Sequence, residues 1–230
     1  MWPGAAVSPA PMKTNAEQRQ RSIEKLLGAA LRLFVSQGYR STTLEQIAAA
    51  ARLTKGAVYF YFGSKEKILL ELLTRVEPVI VDEMIEVTGR AGPSAIDGMV
   101  AFVNNQAKLG IARRNEVLLL ILMSLEFGGG KGAVTKAIGR IYRRLHRHVE
   151  SLIRRGQNSG ELRNNVPVRE LAAIVMANHD GAFLEWHRRD EALHGANLVR
   201  ALRSILLHGL VRSGAAKRRS LRTKKTGVSE

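Results

Sequence analysis

A single stretch of this 230-residue chain concentrates the side chains best suited to contact a polyanion. Four aromatic residues follow one another at positions 59–62, and Lys55 and Lys65 flank them with positive charge. A short helix cannot bury four rings on one face, so we expect Tyr59 and Tyr61 to face outward. Large exposed rings commonly mark a binding surface. The stretch therefore favours contact with a phosphate-rich partner.

Hydroxyl residues stand at three predicted helix starts in this stretch, at Thr43, Thr54 and Ser64. At a helix N-terminus, free N–H groups and the helix dipole favour phosphate. The alternative is that the hydroxyls only cap their helices while the rings form a packed cluster, and for Thr43 or Ser64 alone that alternative is preferred. The small residues Gly56 and Ala57 would let a base edge approach closely. Taken together, these residues favour DNA as the partner.

Two short helices joined by a tight turn are predicted to position these residues. Apolar residues at helical spacing predict a first helix over about 15–37. The capping-box spacing of Thr43 and Gln46 starts a second helix that ends near residue 51, and a third follows over about 54–60. Such a helix-turn-helix places its last helix in the major groove of DNA.

This three-helix head resembles the DNA-binding head of the TetR family of bacterial transcriptional regulators. The family pattern runs from an apolar helix ending Phe-x-x-x-Gly-Tyr, through Thr-Thr-x-x-x-Ile-Ala, to Tyr-x-His/Tyr-Phe-x-Ser-Lys-Glu. The matching stretch covers about a fifth of the chain. The residues that match in register are Phe34, Gly38, Tyr39, Thr42, Thr43, Ile47, Ala48, Tyr59, Tyr61, Phe62, Ser64, Lys65 and Glu66.

The resemblance implies two groups of DNA contacts. Of the residues implied to face the bases, only Lys55 can donate a strong hydrogen bond to a guanine edge. Shape and phosphate geometry are therefore expected to supply much of the specificity. The residues implied to contact phosphates are Thr43, Thr54, Tyr59, Tyr61 and Lys65, and those implied to face the bases are Lys55, Gly56, Ala57 and Phe60.

One residue departs from the family pattern. Arg52 stands in the turn after the second helix, where the family usually has glycine. If this turn requires a positive φ, an arginine costs on the order of 1 kcal/mol there. We expect the turn to shift slightly and tolerate the arginine. Arg52 could also reach a phosphate, and it is therefore included among the candidate DNA-binding residues.

The remainder of the chain is also predicted to be helical, so the fold class is all-α, with the head followed by a larger helical body. Pro78 is expected to bend or split the long helix that leads out of the head. Further helices are expected at about 94–110, 113–126, 132–155, 168–188 and 191–211. The expected organisation is a disordered leader at 1–14, a helix-turn-helix domain at 15–66, a ligand-binding and dimerisation domain at 67–212, and a disordered basic tail at 213–230.

The resemblance implies that the body forms a homodimer and binds a small-molecule effector. Family members usually dimerise through the last two long helices, here 168–188 and 191–211, and two DNA half-sites about 34–36 Å apart need paired heads. For each candidate ligand contact taken alone, an ordinary core role is preferred. His179 and Asp180 could orient a ligand, cross a dimer interface or form a satisfied buried pair. The candidate ligand contacts are Met84, Phe102, Gln106, Met123, Phe127 and His179.

Composition narrows the remaining functions. The formal net charge of +16 favours polyanionic partners. The sequence has no cysteine, which excludes thiol chemistry and agrees with a cytoplasmic location. The apolar run at 117–123 is too short to cross a membrane. No catalytic triad, phosphate-binding loop or metal-ligand spacing is visible, so neither an enzyme, a cofactor nor a metal site is expected.

Three functions compete on this basis. The preferred one is a homodimeric repressor that binds a pseudo-palindromic operator in double-stranded DNA and is released by a small molecule. The alternative is a DNA-organising or division-linked protein without ligand control. The basic tail motivates this alternative, because residues 212–230 contain 7 basic residues and 1 acidic residue. The third is an enzyme that uses His179 or Asp180, which is disfavoured because no catalytic arrangement of residues is visible.

Overall fold

The computed structural model describes residues 15–189 and 192–211, and the regular secondary structure within those ranges is helical. The one β-type contact found there is an isolated bridge between Leu162 and Val211. The chain divides into two compact units, Met1–Ile68 and Leu69–Glu230. The predicted all-α fold is confirmed. The predicted leader at 1–14 and basic tail at 213–230 lie outside the described residues.

The first unit contains α1 (Asn15–Gln37), α2 (Leu44–Ala51), α3 (Lys55–Tyr61) and the beginning of α4 (Lys65–Glu77). Apolar residues at helical spacing bring one face of α1 against α2, and α2 packs against α3. The buried residues of these three helices are Leu26, Leu27, Ala29, Ala30, Phe34, Ile47, Ala48, Ala51 and Val58.

Short-range hydrogen bonds fix where these helices begin. Thr43 Oγ1 accepts from the Gln46 backbone N–H at 3.2 Å, and Gln46 Oε1 accepts from the Thr43 N–H at 2.8 Å, which completes the predicted capping box. Thr54 Oγ1 accepts from the Ala57 N–H at 3.2 Å. Each cap satisfies N–H groups that have no partner within the helix. Both predicted helix starts are therefore confirmed.

The second unit continues α4 through a π-helical turn into the remaining helices. Pro78 opens that turn and cannot donate a backbone hydrogen bond, and the Glu83 N–H bonds to its carbonyl five residues earlier. Pro78 was expected to bend or split the helix; α4 ends at Glu77, and the chain remains helical through the π-helical turn that follows. The elements are the turn Pro78–Asp82, α5 (Glu83–Arg90), α6 (Ala95–Ala112), α7 (Arg114–Glu126), α8 (Ala133–Asn158), α9 (Val168–Arg188) and α10 (Gly195–Leu210).

The long helix α8 is central to the packing of the second unit. It contacts α6, α7 and α9, while α10 packs against α6 and α9. The helices lie close to their predicted positions, except that α10 begins at Gly195 rather than near residue 191. No helix of the described part of the chain is long and apolar enough to cross a membrane. The buried residues of α8 are Val134, Ala137, Ile138, Ile141, Leu145, Val149, Leu152, Ile153 and Gly156.

Candidate nucleic-acid interface

The helix α3 has one side in the core of the first unit and presents its other side to solvent. Val58 is fully buried, whereas Tyr59 is 49% and Phe60 79% exposed. Tyr61 and Phe62 are half-buried, so the expected outward position holds fully for Tyr59 and only in part for Tyr61. Such exposure of a large apolar ring is typical of a contact surface.

The amino-terminal end of α3 adds charge and access to this surface. Lys55 and Gly56 are exposed and Ala57 is half-buried, and the larger side chain of Val58, which precedes Tyr59, is turned into the core. The Lys55 ammonium lies 5.8 Å from the centroid of the Tyr59 ring. The residues implied to face the bases are therefore on the accessible side of α3, together with Phe60.

Lys55 also pairs with a residue that the sequence did not single out. Its ammonium forms an ion pair with the carboxylate of Glu45 on α2, and both side chains are about half exposed. The hydrogen bond from Lys55 lowers the pKa of Glu45, and the same bond raises the pKa of Lys55. Both groups are therefore charged at neutral pH. No local pattern in the sequence indicates this pair, because it depends on the packing of α2 against α3.

Lys65 has a different environment from the other predicted phosphate contacts. Its ammonium donates to the carbonyl oxygens of Tyr39, Arg40 and Thr42 at 2.7, 3.4 and 2.6 Å. It also lies 4.3 Å from the centroid of the Tyr39 ring. Since an ammonium has three N–H donors, a phosphate contact would require Lys65 to leave some of these acceptors. The structure gives Lys65 a role in holding the 39–42 loop, and its phosphate contact stays a prediction.

The turn between α2 and α3 does not shift in the way that the sequence predicted. Arg52 caps α2 in the left-handed conformation, with φ 56° and ψ 44°. The Arg52 N–H bonds to the Ala49 carbonyl at 3.0 Å, and the Leu53 N–H bonds to the Ala48 carbonyl at 2.9 Å. These bonds satisfy carbonyls at the end of α2 and hold the turn in the geometry that favours glycine. The expectation that the turn would relax around the arginine is wrong.

The hydroxyls of the predicted phosphate contacts act as helix caps in the structure. Thr43 and Thr54 are exposed and bond to backbone N–H groups as described above. Ser64 Oγ accepts from the Lys67 N–H at 3.2 Å. A hydroxyl that accepts from a cap N–H keeps its own O–H donor, which can still bond to a phosphate oxygen. Capping and phosphate binding are therefore compatible at Thr43 and Thr54.

The second unit holds a cavity of about 390 Å³ between α6, α9 and α10. Of the predicted ligand contacts, Gln106 and His179 line it. Met84, Phe102 and Met123 are instead fully buried core residues, and Phe127 is half-buried at the end of α7. The lining is mostly apolar and includes Val103, Ala107, Gly110, Phe183, Trp186 and Leu202.

A chain of polar contacts borders this cavity. Gln106 Oε1 lies 2.9 Å from His179 Nε2, and His179 Nδ1 lies 2.8 Å from Asp180 Oδ1. The Tyr142 hydroxyl donates to Asp180 Oδ2 at 3.1 Å. Burial and the nearby carboxylate raise the pKa of Tyr142, so it remains a donor. Of the three roles considered for His179 and Asp180, the structure shows a hydrogen-bonded pair. His179 of this pair also lines the cavity.

The other titratable residues give no indication of a metal centre. Among residues 15–189 and 192–211, no group of three or more His, Cys, Asp or Glu side chains is arranged to hold a metal ion. His148, which follows His146 by two residues on α8, lies 2.7 Å from the Thr88 hydroxyl. Burial lowers the pKa of His148, and the positive charge of Arg155 adds to this effect. His148 is therefore neutral at pH 7 and has a structural hydrogen-bond partner.

Comparison with known proteins supports the assignment of both units. Residues 26–72 match the model for bacterial regulatory proteins of the tetR family. Residues 132–211 match the carboxy-terminal model of BetI-type transcriptional repressors. Together the two matches cover most of the helix-turn-helix head and α8–α10 of the body.

Whole-chain comparison gives the same result. The MbdR regulator from Azoarcus sp. CIB is 49% identical, and the match covers 83% of this chain and 100% of that one with a TM-score of 0.76. FadR from Bacillus subtilis in complex with stearoyl-CoA is 21% identical over 81% of this chain and 98% of its own, with a TM-score of 0.67. The regulator AcrR of Shigella flexneri is 24% identical over 74% of this chain and 80% of its own length.

The helix-turn-helix with an exposed aromatic face, joined to a helical body with an apolar cavity, defines a DNA-binding transcriptional regulator rather than an enzyme. The chain belongs to the TetR family of bacterial regulatory proteins.

Proposed function

We propose that the protein is a homodimeric repressor that binds a pseudo-palindromic operator and is released when a small molecule enters the cavity of the second unit. The single observation that carries the DNA-binding part is the accessible side of α3, where Lys55, Gly56, Tyr59 and Phe60 are all exposed. In this proposal α3 lies in the major groove and the capped starts of α2 and α3 contact phosphates. The protein then acts where the chromosome lies, in the bacterial cytoplasm.

The exposed faces of α9 and α10 support a homodimer. Ile174 on α9 is 58% exposed and Ile205 on α10 is 64% exposed. Small residues lie one or two turns from them on the same helices, at Gly181 on α9 and Gly209 on α10. Among the described residues, no atom of another element lies within 4 Å of the position a Cβ would take on either glycine. Apolar side chains surrounded by small residues allow helices of two subunits to approach closely, and a two-fold axis would then pair the two heads.

The dimer is tested by placing a charge on this face. We expect Ile174→Asp combined with Ile205→Asp to lower the mass measured by sedimentation from dimer to monomer and to abolish operator binding. The matched control is Leu125→Asp, which changes an equally exposed apolar residue on α7 and should leave the dimer intact. A dimeric double variant would refute this interface.

The cavity supports an apolar or amphipathic effector. Its volume of about 390 Å³ lies at the small end of the range for ligand pockets, and its mostly apolar lining with a few polar groups is typical of such sites. FadR of Bacillus subtilis, which shares the fold, was crystallised with stearoyl-CoA. In our proposal the ligand binds preferentially to the conformation in which the heads are wrongly spaced, so it shifts the population away from the DNA-bound state.

A cavity-filling variant separates effector response from DNA binding. Ala182→Phe places a ring where α9 lines the cavity, so we expect operator affinity to be retained while release by the effector is lost. The effector is sought by thermal-shift screening of amphipathic small molecules against the full chain. A compound that stabilises the wild type and this variant equally does not bind in the cavity.

The operator is tested with the DNA that flanks the gene of this protein. We expect fluorescence anisotropy to show affinity at least a thousand-fold above that for random duplex, as is typical of specific binding at fixed salt. Equal affinity for both duplexes would refute operator binding. The basic segment 212–230 is the observation that keeps the DNA-organising alternative, and genome-wide occupancy at many scattered sites would favour that function instead.

A further inference from the structure

We propose that Glu45 and Lys55 act together as one reading unit that recognises a single G·C base pair in each operator half-site. This inference rests on the proposed major-groove position of α3. Glu45 therefore becomes a specificity-determining residue, although it carries the charge that DNA repels.

The two side chains already form the unit in the free protein. Lys55 is the first residue of α3 and Glu45 lies in the first turn of α2, and their ammonium and carboxylate are in direct contact. Both remain about half exposed, so each keeps hydrogen-bonding capacity toward a ligand. The first residues of a recognition helix are those that meet base edges in a helix-turn-helix complex. The carboxylate is held beside them by its contact with Lys55.

The pattern of donors and acceptors on a G·C pair matches this unit. Across the major groove the pair presents two acceptors, guanine N7 and O6, followed by one donor, the N4 amino group of cytosine. The Lys55 ammonium can donate to both acceptors while the Glu45 carboxylate accepts from the donor. The reversed C·G pair presents the donor first, and an adenine–thymine pair has its donor between two acceptors. One orientation of one base pair therefore satisfies both side chains.

The charge of the unit explains why it would add specificity more than affinity. A free lysine attracts any phosphate and strengthens binding to all sequences. Paired with Glu45, Lys55 belongs to a unit with no net charge. The carboxylate of that unit is repelled wherever it meets a phosphate or an acceptor edge. Such a repulsive element penalises wrong sequences.

The experiment uses the full chain and a duplex that it selects from a random pool. Each base pair of that duplex is replaced in turn, and dissociation constants are measured for the wild type, Glu45→Ala and the control Glu24→Ala. Glu24 is an exposed glutamate on α1, so the control makes the same change in charge. In addition, the cytosine of the preferred pair is replaced by N4-methylcytosine, which blocks the donor that Glu45 is proposed to use.

We expect the wild type and Glu24→Ala to prefer G·C at one position of each half-site by roughly 5- to 150-fold, the range for one good base contact. Glu45→Ala should lose this preference, keep the preferences at other positions and bind random duplex more tightly. Its salt dependence should steepen by about 0.9, because Lys55 is free to bind one phosphate. N4-methylcytosine should weaken the wild type and leave Glu45→Ala unaffected.

Two results overturn different conclusions. A chain that selects a duplex but shows the same preference at every base pair in the wild type and Glu45→Ala refutes the reading unit and leaves the regulator intact. A chain that selects no duplex refutes the proposed operator binding itself.

Discussion

Replacing Arg52 by glycine should stabilise the first unit. Arg52 is the only residue other than glycine with a positive φ among residues 15–189 and 192–211, and a left-handed conformation costs a residue with a Cβ roughly 1–2 kcal/mol. Glycine removes this cost but gives back about 0.4–1 kcal/mol, because it makes the unfolded chain more flexible. We therefore expect a net gain of about 0.5–1 kcal/mol, which corresponds to a rise in melting temperature of about 1–4 °C for a domain of this chain's length.

Arg52→Ala is the matched control, because alanine keeps the Cβ and the unfavourable conformation while removing the guanidinium. Thermal and urea unfolding followed by circular dichroism should place Arg52→Gly above both the wild type and Arg52→Ala. If Arg52→Gly is no more stable than Arg52→Ala, the turn does not hold positive φ in solution and this reasoning is refuted. Salt titration of DNA binding by the same variants tests the phosphate contact, since loss of one contact lowers the slope by about 0.9 in both.

Three further predictions concern side chains with well-defined surroundings. Tyr59→Ala should weaken binding to operator and random duplex by the same factor, about five-fold for one lost hydrogen bond, and a loss confined to the operator would show base readout instead. Lys65→Ala should destabilise the first unit by about 1.5–3 kcal/mol in urea unfolding, because the bonds to the 39–42 loop are charge-assisted. An unchanged stability with a lower salt dependence of DNA binding would instead assign Lys65 to a phosphate contact. The control is Lys67→Ala, which changes an exposed neighbouring lysine. Gly156→Ala should cost about 1–3 kcal/mol, because its Cβ would lie 2.5 Å from the Leu162 side chain. Gly89→Ala, where no atom of another described element lies within 4 Å of the added Cβ, should instead stabilise α5 by up to about 1 kcal/mol. Equal unfolding midpoints for the two variants would contradict this packing.

The helices of the first unit and their starts were predictable because their causes lie within a few residues. The reciprocal bonds of Thr43 and Gln46 span three positions, and the spacing of apolar residues on α1 repeats within each turn. The burial of Val58 and the exposure of Tyr59 followed from helical geometry on a short helix. The resemblance to a known regulator family depended on this same local stretch, so the DNA-binding class was also accessible.

The cavity shows where this reasoning fails. Met84, Phe102 and Met123 have the types of side chain that line ligand sites, but the helices turn them into the core. The space that remains lies between α6, α9 and α10, and residues such as Gly110 and Phe183 meet there from distant parts of the chain. Residue type alone does not determine which face of a buried helix adjoins empty space, because that depends on helix rotation and on the neighbours.

The sequence by itself determined that the protein is all-α with a helix-turn-helix head. It also determined where the short helices of that head begin and which kind of partner the aromatic, basic stretch favours. These properties arise from contacts between residues that are near neighbours in the chain. Tertiary structure alone decided the partners of charged groups. Lys65 turns toward carbonyls 23–26 positions away, Lys55 pairs with Glu45 on another helix, and Arg52 is held at positive φ by the turn that joins two packed helices. A long charged side chain reaches any acceptor that packing brings near, so its role is fixed only when the helices are assembled.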